Sequence, residues 1–346
     1  MSYMFYGCNN LGSLKTPNFN GNNIQYLDYM FYNCKKLTEI NLDKIDSSNV
    51  INMEYMFFQC SSLVNISIPK IQVTKVRNMK AMFYNCNQLK SLELFQNYDC
   101  SQVSDMSYMF YNCNQLTNIN TIFQSSQFCY CETDSCSDSE CKNKYQEKNM
   151  NYMFTNCNSL ISLNFDRNAI FKVKKMANIF LKCTSLQSLD ISSFRNYDNT
   201  IKNLDNMFNS LISLTSLDIS NFGTSYVTSM KQMFYDCNKL IYLKEKFNTK
   251  RVKSMNSMFY NCKSLISINL QSFVTSEVTD MAYIFTNCES LTYLDLSSFR
   301  TSNVQYMNNM FANCLSLASI SLSDIYFNTS NVINMNSMFY NCNSLT

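Results

Sequence analysis

The chain has 346 residues, 46% of them apolar, with 28 basic and 25 acidic side chains interspersed to a net charge of +3. That balance argues against nucleic acid or an anionic membrane as partner, and the complete absence of histidine excludes Ser-His-Asp and Cys-His catalysis and every His-ligated zinc site. No run approaches the roughly 20 apolar residues of a membrane-spanning helix, and the N-terminus lacks the pattern of a secretion signal.

From the first residues onward one motif recurs. Met30-Phe31-Tyr32-Asn33-Cys34 returns nearly unchanged at Met82–Cys86, Met109–Cys113, Met258–Cys262 and Met338–Cys342. Its phenylalanine falls at Phe5, Phe31, Phe57, Phe83, Phe110, Phe154, Phe180, Phe208, Phe234, Phe259, Phe285, Phe311 and Phe339, in steps of 25 to 28 residues with a single step of 44. A catalytic group is needed once, whereas a structural unit is needed in every turn of an array.

Within one unit the elements follow in order. Leu291, Leu294 and Leu296 follow an L-x-x-L-x-L pattern whose end alternates as in a short strand. Thr301-Ser302-Asn303 then offers capping oxygens, as do Asp46-Ser47-Ser48-Asn49 and Thr329-Ser330-Asn331. Val304, Met307, Phe311 and Cys314 recur at three- and four-residue steps, which predicts a short helix of about three turns. Asn before the Cys, as at Asn33, Asn85, Asn112, Asn261 and Asn341, suits a left-handed C-cap or a stacked asparagine ladder. The chain has 4 glycines and 2 prolines, so its turns fall to Asn, Asp and Ser.

The expected fold is therefore an α/β repeat solenoid of about 13 units of ~26 residues, with a parallel sheet on one face and short helices on the other. It is expected to run as a single solenoid over residues 1–346, with residues 120–148 as a Cys-rich insertion within one repeat. Met1–Phe5 aligns with Met106–Phe110 inside a predicted helix, and the last residues stop at the start of a strand. No terminal caps are evident, so end-to-end stacking of copies or a longer parent chain is expected.

Of 17 cysteines, twelve follow the repeated Phe by three residues, and Leu211 takes that place in the remaining repeat. A column that accepts leucine reads as buried free thiols, with disulfides between repeats as the alternative. Cys129, Cys131, Cys136 and Cys141 crowd the insertion, and Cys100 lies in the equivalent loop one repeat earlier. Two disulfides are the expected staple. Zinc is the rival, without paired C-x2-C knuckles, and Glu132, Asp134, Asp138 and Glu140 lack EF-hand spacing for calcium. No metal or cofactor is expected.

Two surfaces stand out. The outward strand column Asn41, Ser67, Glu93, Asn120, Asn164, Asp190, Asp218, Lys244, Asn269, Asp295 and Ser321 is polar and mildly acidic, and Asp190, Asp218, Asn269 and Asp295 mark it as a possible concave binding face. A second column, Tyr6, Tyr32, Phe58, Tyr84, Tyr111, Tyr235, Tyr260 and Tyr340, either serves lateral association or glycan stacking or seals the core. Asn65 and Asn328 begin N-x-S/T sequons and are glycosylation candidates.

These features resemble leucine-rich repeats, and more narrowly the BspA-like surface repeats with a Met-Phe-Cys box; residues 291–317, LTYLDLSSFRTSNVQYMNNMFANCLSL, carry the match. The resemblance implies a cell-surface or secreted protein with adhesive and matrix-binding roles. The leading expectation is an extracellular structural or adhesive repeat protein, part of a surface layer, fibre or matrix, with protein or glycan partners or filaments of its own copies. The alternative is a ligand-recognition ectodomain, which requires exposed aromatics or charges clustered on a few adjacent strands. No enzyme is expected: there is no histidine, no glycine-rich phosphate loop and no singular polar cluster outside the insertion.

Overall fold

The leucine-rich segments form short strands, as their alternation predicts. A computed structural model describes residues 1–15, 23–42, 45–67, 73–92, 100–119, 146–165, 171–192, 194–195 and 200–346. Its strands are β1 (Ser13–Lys15), β2 (Glu39–Asn41), β3 (Asn65–Ser67), β4 (Lys148–Asn149), β5 (Ser162–Asn164), β6 (Phe171–Lys175), β7 (Ser188–Asp190), β8 (Phe194–Arg195), β9 (Ser216–Asp218), β10 (Tyr242–Lys244), β11 (Tyr293–Asp295) and β12 (Ser319–Ser321). The residues divide into a first unit, Met1–Lys174 with Ser188–Phe194, and a second, Lys175–Gln187 with Arg195–Thr346.

In the first unit β1, β2 and β3 pair in parallel with Leu14, Ile40 and Ile66 in register, and β5 pairs with β7 through Leu163 and Leu189. In the second unit β9 pairs with β10, and β11 with β12, again in parallel and in register. Each repeat thus lies one strand spacing from the next, a parallel solenoid in which the middle strand residue faces the core.

The predicted helices are a correction: among the described residues there are none. The segment is a chain of overlapping turns. Met30, Tyr32 and Cys34 donate their N–H groups three residues back, to Leu27, Tyr29 and Phe31. The intervening Leu27, Tyr29, Phe31 and Asn33 donate instead to Asn52, Glu54, Met56 and Phe58 of the next repeat, at 3.0, 3.0, 2.8 and 2.7 Å. The second unit repeats this at Met307, Asn309, Phe311 and Asn313. A helix would keep these donors for itself; here half of them tie neighbouring repeats together.

Two residues per turn segment adopt left-handed backbone, two before and two after the Phe, as at Tyr29 (φ 56°) and Asn33 (φ 62°). Asparagine takes this conformation more readily than other side chains, and the second position is mostly Asn. The expected asparagine ladder is present on the same residues: Asn112 Nδ2 donates to Asn85 Oδ1 at 2.7 Å, Asn156 to Asn112 at 2.6 Å and Asn313 to Asn287 at 2.7 Å.

The core is a set of ladders. The Phe rings stack nearly parallel, with centroids 5.1 to 5.7 Å apart from Phe5 to Phe154 in the first unit. From Phe180 to Phe339 in the second unit the spacing is 5.2 to 6.0 Å. In the second unit the buried Thr224, Thr249, Thr275 and Thr301 hydroxyls each donate to a carbonyl of the next repeat and accept an N–H from it. These oxygens cap between repeats, where the sequence suggested caps within a helix. In the first unit the buried Lys148 Nζ donates to the carbonyls of Cys100 and Val103, both at 2.8 Å.

Glu245 interrupts the apolar column of Ile219, Leu270 and Leu296. Its carboxylate is buried and accepts the Phe247 N–H at 2.7 Å. Burial raises its pKa above 4.5, against the opposing pull of the Phe247 and Ser272 hydrogen bonds. A raised folded-state pKa means that the folded protein holds the proton more tightly than the unfolded chain. The stabilising contribution is therefore full below about 4.5 and fades as pH rises through the raised value. The stability difference between wild type and Glu245→Gln, followed by urea titration at successive pH, should move against the wild type across that window and then level off.

Candidate functional site

The strand faces carry the residues that the sequence marked for binding. On these short strands the first and third residues face solvent. Asp190, Asp218 and Asp295 hold the third position of β7, β9 and β11, and Asn269 the matching place in a repeat with no strand; each side chain accepts a backbone N–H two residues on, from Ser192, Ser220, Ser297 and Gln271, at 3.0 to 3.1 Å. These are turn-forming contacts, so one oxygen of each side chain is committed to the fold. Asp218 keeps its other oxygen on Lys244 Nζ at 2.8 Å, and this bond together with the Ser220 contacts holds its carboxyl down at about 2. Asp190 belongs to the first unit, and the other three belong to the second.

Larger exposed groups of the second unit lie two and three residues earlier. Ile241, Tyr242, Ile266 and Tyr293 are 47–59% exposed, on three successive repeats. Tyr293 leans along the stack, its hydroxyl 3.0 Å from Ser321 Oγ. The third-position column alone looked uniform because it omitted these residues. Alternation about the buried Leu243 and Leu294 was the available signal.

In the first unit the aromatic column of the sequence reading is a stack: Tyr6, Tyr32, Phe58, Tyr84 and Tyr111 lie 4.6 to 4.7 Å apart with nearly parallel planes. Beside it runs a file that sequence reasoning missed. Tyr3, Tyr29 and Tyr55 stack at 4.8 and 4.9 Å, and Tyr108 stacks on Tyr152 at 4.8 Å. The two files are three residues apart in sequence, and the turns set them side by side, 5.4 to 5.8 Å apart. Ring faces cover one another along each file, which leaves edges and hydroxyls outward and no room for a sugar to stack. Burial among the rings, with Glu54 nearby, lifts the Tyr29 phenol to about 12.

Of the cysteine candidates, Cys129, Cys131, Cys136 and Cys141 lie outside the described residues, while Cys100 is buried. The repeated cysteines have a role beyond apolar filling: Cys34, Cys60, Cys86 and Cys113 donate S–H to the carbonyl of the preceding repeat's Phe at 3.1 Å. Cys237, Cys262, Cys288 and Cys314 do so at 3.1 to 3.2 Å. All eight are free thiols, and burial drives their pKa up, to about 11 at Cys34 and about 12 at Cys237. Iodoacetamide at pH 8 should therefore spare these eight in the folded protein and modify the exposed Cys8, as read by peptide mass mapping. Among the described residues no group of three or more Cys, Asp or Glu is placed to hold a metal ion, and no helix is long and apolar enough to cross a membrane.

Of the sequons, Asn65 lies exposed on β3. Asn328 is exposed in a loop, where its Oδ1 accepts the Ser330 N–H at 2.8 Å and its backbone N–H meets Thr301 Oγ1 at 2.7 Å.

Parallel register, stacked ladders and turn-built repeats define a leucine-rich-repeat-like solenoid of the BspA-like kind. The chain belongs to the family described as "Mycoplasma protein of unknown function, DUF285", whose model matches residues 1–125, 148–267 and 241–346. No curated protein sequence matches it. Among solved structures it is similar to a leucine-rich repeat protein from Bacteroides ovatus, with 20% identity over 91% of this chain and 82% of that one and a TM-score of 0.41. It is also similar to a leucine-rich cell-surface protein from Faecalibacterium prausnitzii, with 17% identity, 89% and 79% coverage and a TM-score of 0.39. A leucine-rich repeat protein from Eubacterium ventriosum shares 13% identity over 89% and 83%, with a TM-score of 0.37.

Proposed function

We propose that the protein is an extracellular adhesive repeat protein, a solenoid of thirteen units displayed at a cell surface or in its matrix, which binds protein or glycan through the strand face of its second unit. The observation that carries this reading is the cluster of Ile241, Tyr242, Ile266 and Tyr293 on successive repeats. Rigid, exposed aromatic and aliphatic groups flanked by hydrogen-bonding side chains such as Lys244, Asn269 and Asp295 are what a recognition surface needs. The ladders consume most other polar groups in keeping the repeats together, which favours a scaffold over a reaction centre.

The test has two arms. Antibody raised against the protein should label intact cells of its source; label confined to permeabilised cells would sink the surface assignment. Fluorescently tagged protein should bind members of a panel of immobilised matrix proteins and glycans, and Tyr242→Ser/Tyr293→Ser should lose that binding while keeping its melting temperature. Binding that survives the double substitution would remove the strand-face assignment.

A further inference from the structure

The double aromatic file of the first unit is more than the fold requires. Its inner file places Tyr3, Tyr29, Tyr55, Tyr108 and Tyr152 at left-handed positions with φ between 55° and 59°. The same positions of the second unit hold Asn178, Asn206, Gln232, Ser257, Tyr283, Asn309 and Ser337 at φ 53–60°. Asparagine adopts this backbone more readily than tyrosine, so the first unit accepts a less favourable residue where the second shows that a better one serves. The outer file makes a partial contrast: it is aromatic without a break from Tyr6 to Tyr111, whereas in the second unit Leu181, Asn209, Thr286 and Ala312 interrupt Tyr235, Tyr260 and Tyr340. Sealing the core does not account for the tyrosines.

We propose that this face is a self-association surface, which pairs antiparallel, about a two-fold axis, with the same face of a second copy of the chain. Stacked rings present ribs of edges and hydroxyls every 4.6 to 4.9 Å. A partner of any other rise drifts out of step within a few repeats, whereas a second copy keeps step along the whole file. The faces are also complementary to themselves. The inner file has one gap, Ala81 (φ 52°) between Tyr55 and Tyr108. A two-fold axis between the third and fourth repeats sets Tyr55 of each copy against that gap in the other, and sets Tyr29 against Tyr108 and Tyr3 against Tyr152. The residues just before the inner file are Ser2, Asp28, Glu54, Lys80, Ser107 and Asn151. The same axis brings Glu54 against Lys80 twice and opposes no like charges. An isologous contact of this kind closes on itself.

Sedimentation velocity of the full chain across a wide micromolar range tests the proposal. The wild type should sediment as a dimer that dissociates on dilution. Tyr29→Asn/Tyr108→Asn, which suits the left-handed backbone, should raise the dissociation constant roughly tenfold or more with a melting temperature equal or higher. Glu54→Lys and Lys80→Glu should each weaken the dimer, and the two together should restore it. A wild type that stays monomeric throughout, an asparagine variant that dimerises as tightly as wild type, or a double charge exchange that fails to restore association would each overturn it.

Discussion

Phe83→Ala should lower the unfolding free energy by about 4 kcal/mol, the largest effect expected of any single truncation in the first unit. The ring is fully buried and stacks on Phe57 at 5.5 Å and Phe110 at 5.6 Å, so its removal opens a cavity lined by two neighbouring repeats. Repeats in an array depend chiefly on nearest neighbours, and the loss therefore falls on the coupling between repeats as well as on burial. Urea unfolding should show a lower midpoint and a shallower transition. Phe83→Leu, which refills most of the volume without the ring contacts, should recover more than half of the loss. A cost below about 1 kcal/mol for Phe83→Ala would show that the Phe ladder does not carry the core.

The strand half of the repeat was legible because Leu294 and Leu296 alternate in the way a half-buried strand demands, and the register of β11 on β12 follows. The second half was misread as helix for a definable reason. Val304, Met307, Phe311 and Cys314 fit a helical stripe, and Met310 and Leu317 are equally buried. With Phe311 the buried set is 304, 307, 310, 311, 314 and 317, which still fits a widened helical face, so periodicity alone did not separate turns from helix. Asn313 was a clue, since its residue type prefers the left-handed backbone it adopts (φ 60°). Asn309 carried the same signal four residues earlier, but Tyr and Ser at the matching positions of other repeats hid it. The inner tyrosine file was hidden for a similar reason, because Ala81, Asn178, Asn206, Gln232 and Ser257 interrupt its column in other repeats.

Hydrogen bonds between repeats explain why the motif varies so little. Every second N–H of the turn segment goes to a neighbour, as do the Cys S–H groups and, in the second unit, the Thr hydroxyls. One substitution therefore disturbs two repeats, and the tolerated change at Leu211 gives up only a weak S–H bond while keeping the apolar volume. Variation is left to the positions that face solvent, and those hold both proposed surfaces: the strand face around Tyr242 and the tyrosine files of the first unit.

The left-handed turns make a prediction whose sign is opposite to that of the helix they replace. Asn309 sits at φ 56°, donates its N–H to Asn336 O at 2.8 Å and accepts the Thr286 hydroxyl at its carbonyl. In a helix Asn309→Ala would stabilise by about 0.6 kcal/mol and Asn309→Gly would cost a few tenths. On this backbone the order inverts. Glycine pays no Cβ penalty and should stay within about 0.5 kcal/mol of wild type. Alanine should cost about 1 kcal/mol. Asn309→Val should cost roughly 3 kcal/mol, because a β-branched side chain in the left-handed region strains the turn and both hydrogen bonds that hold it. Urea denaturation of the three variants orders them directly. Alanine more stable than asparagine would restore the helix; the order Gly, Ala, Val fixes the turn ladder as the element that joins one repeat to the next.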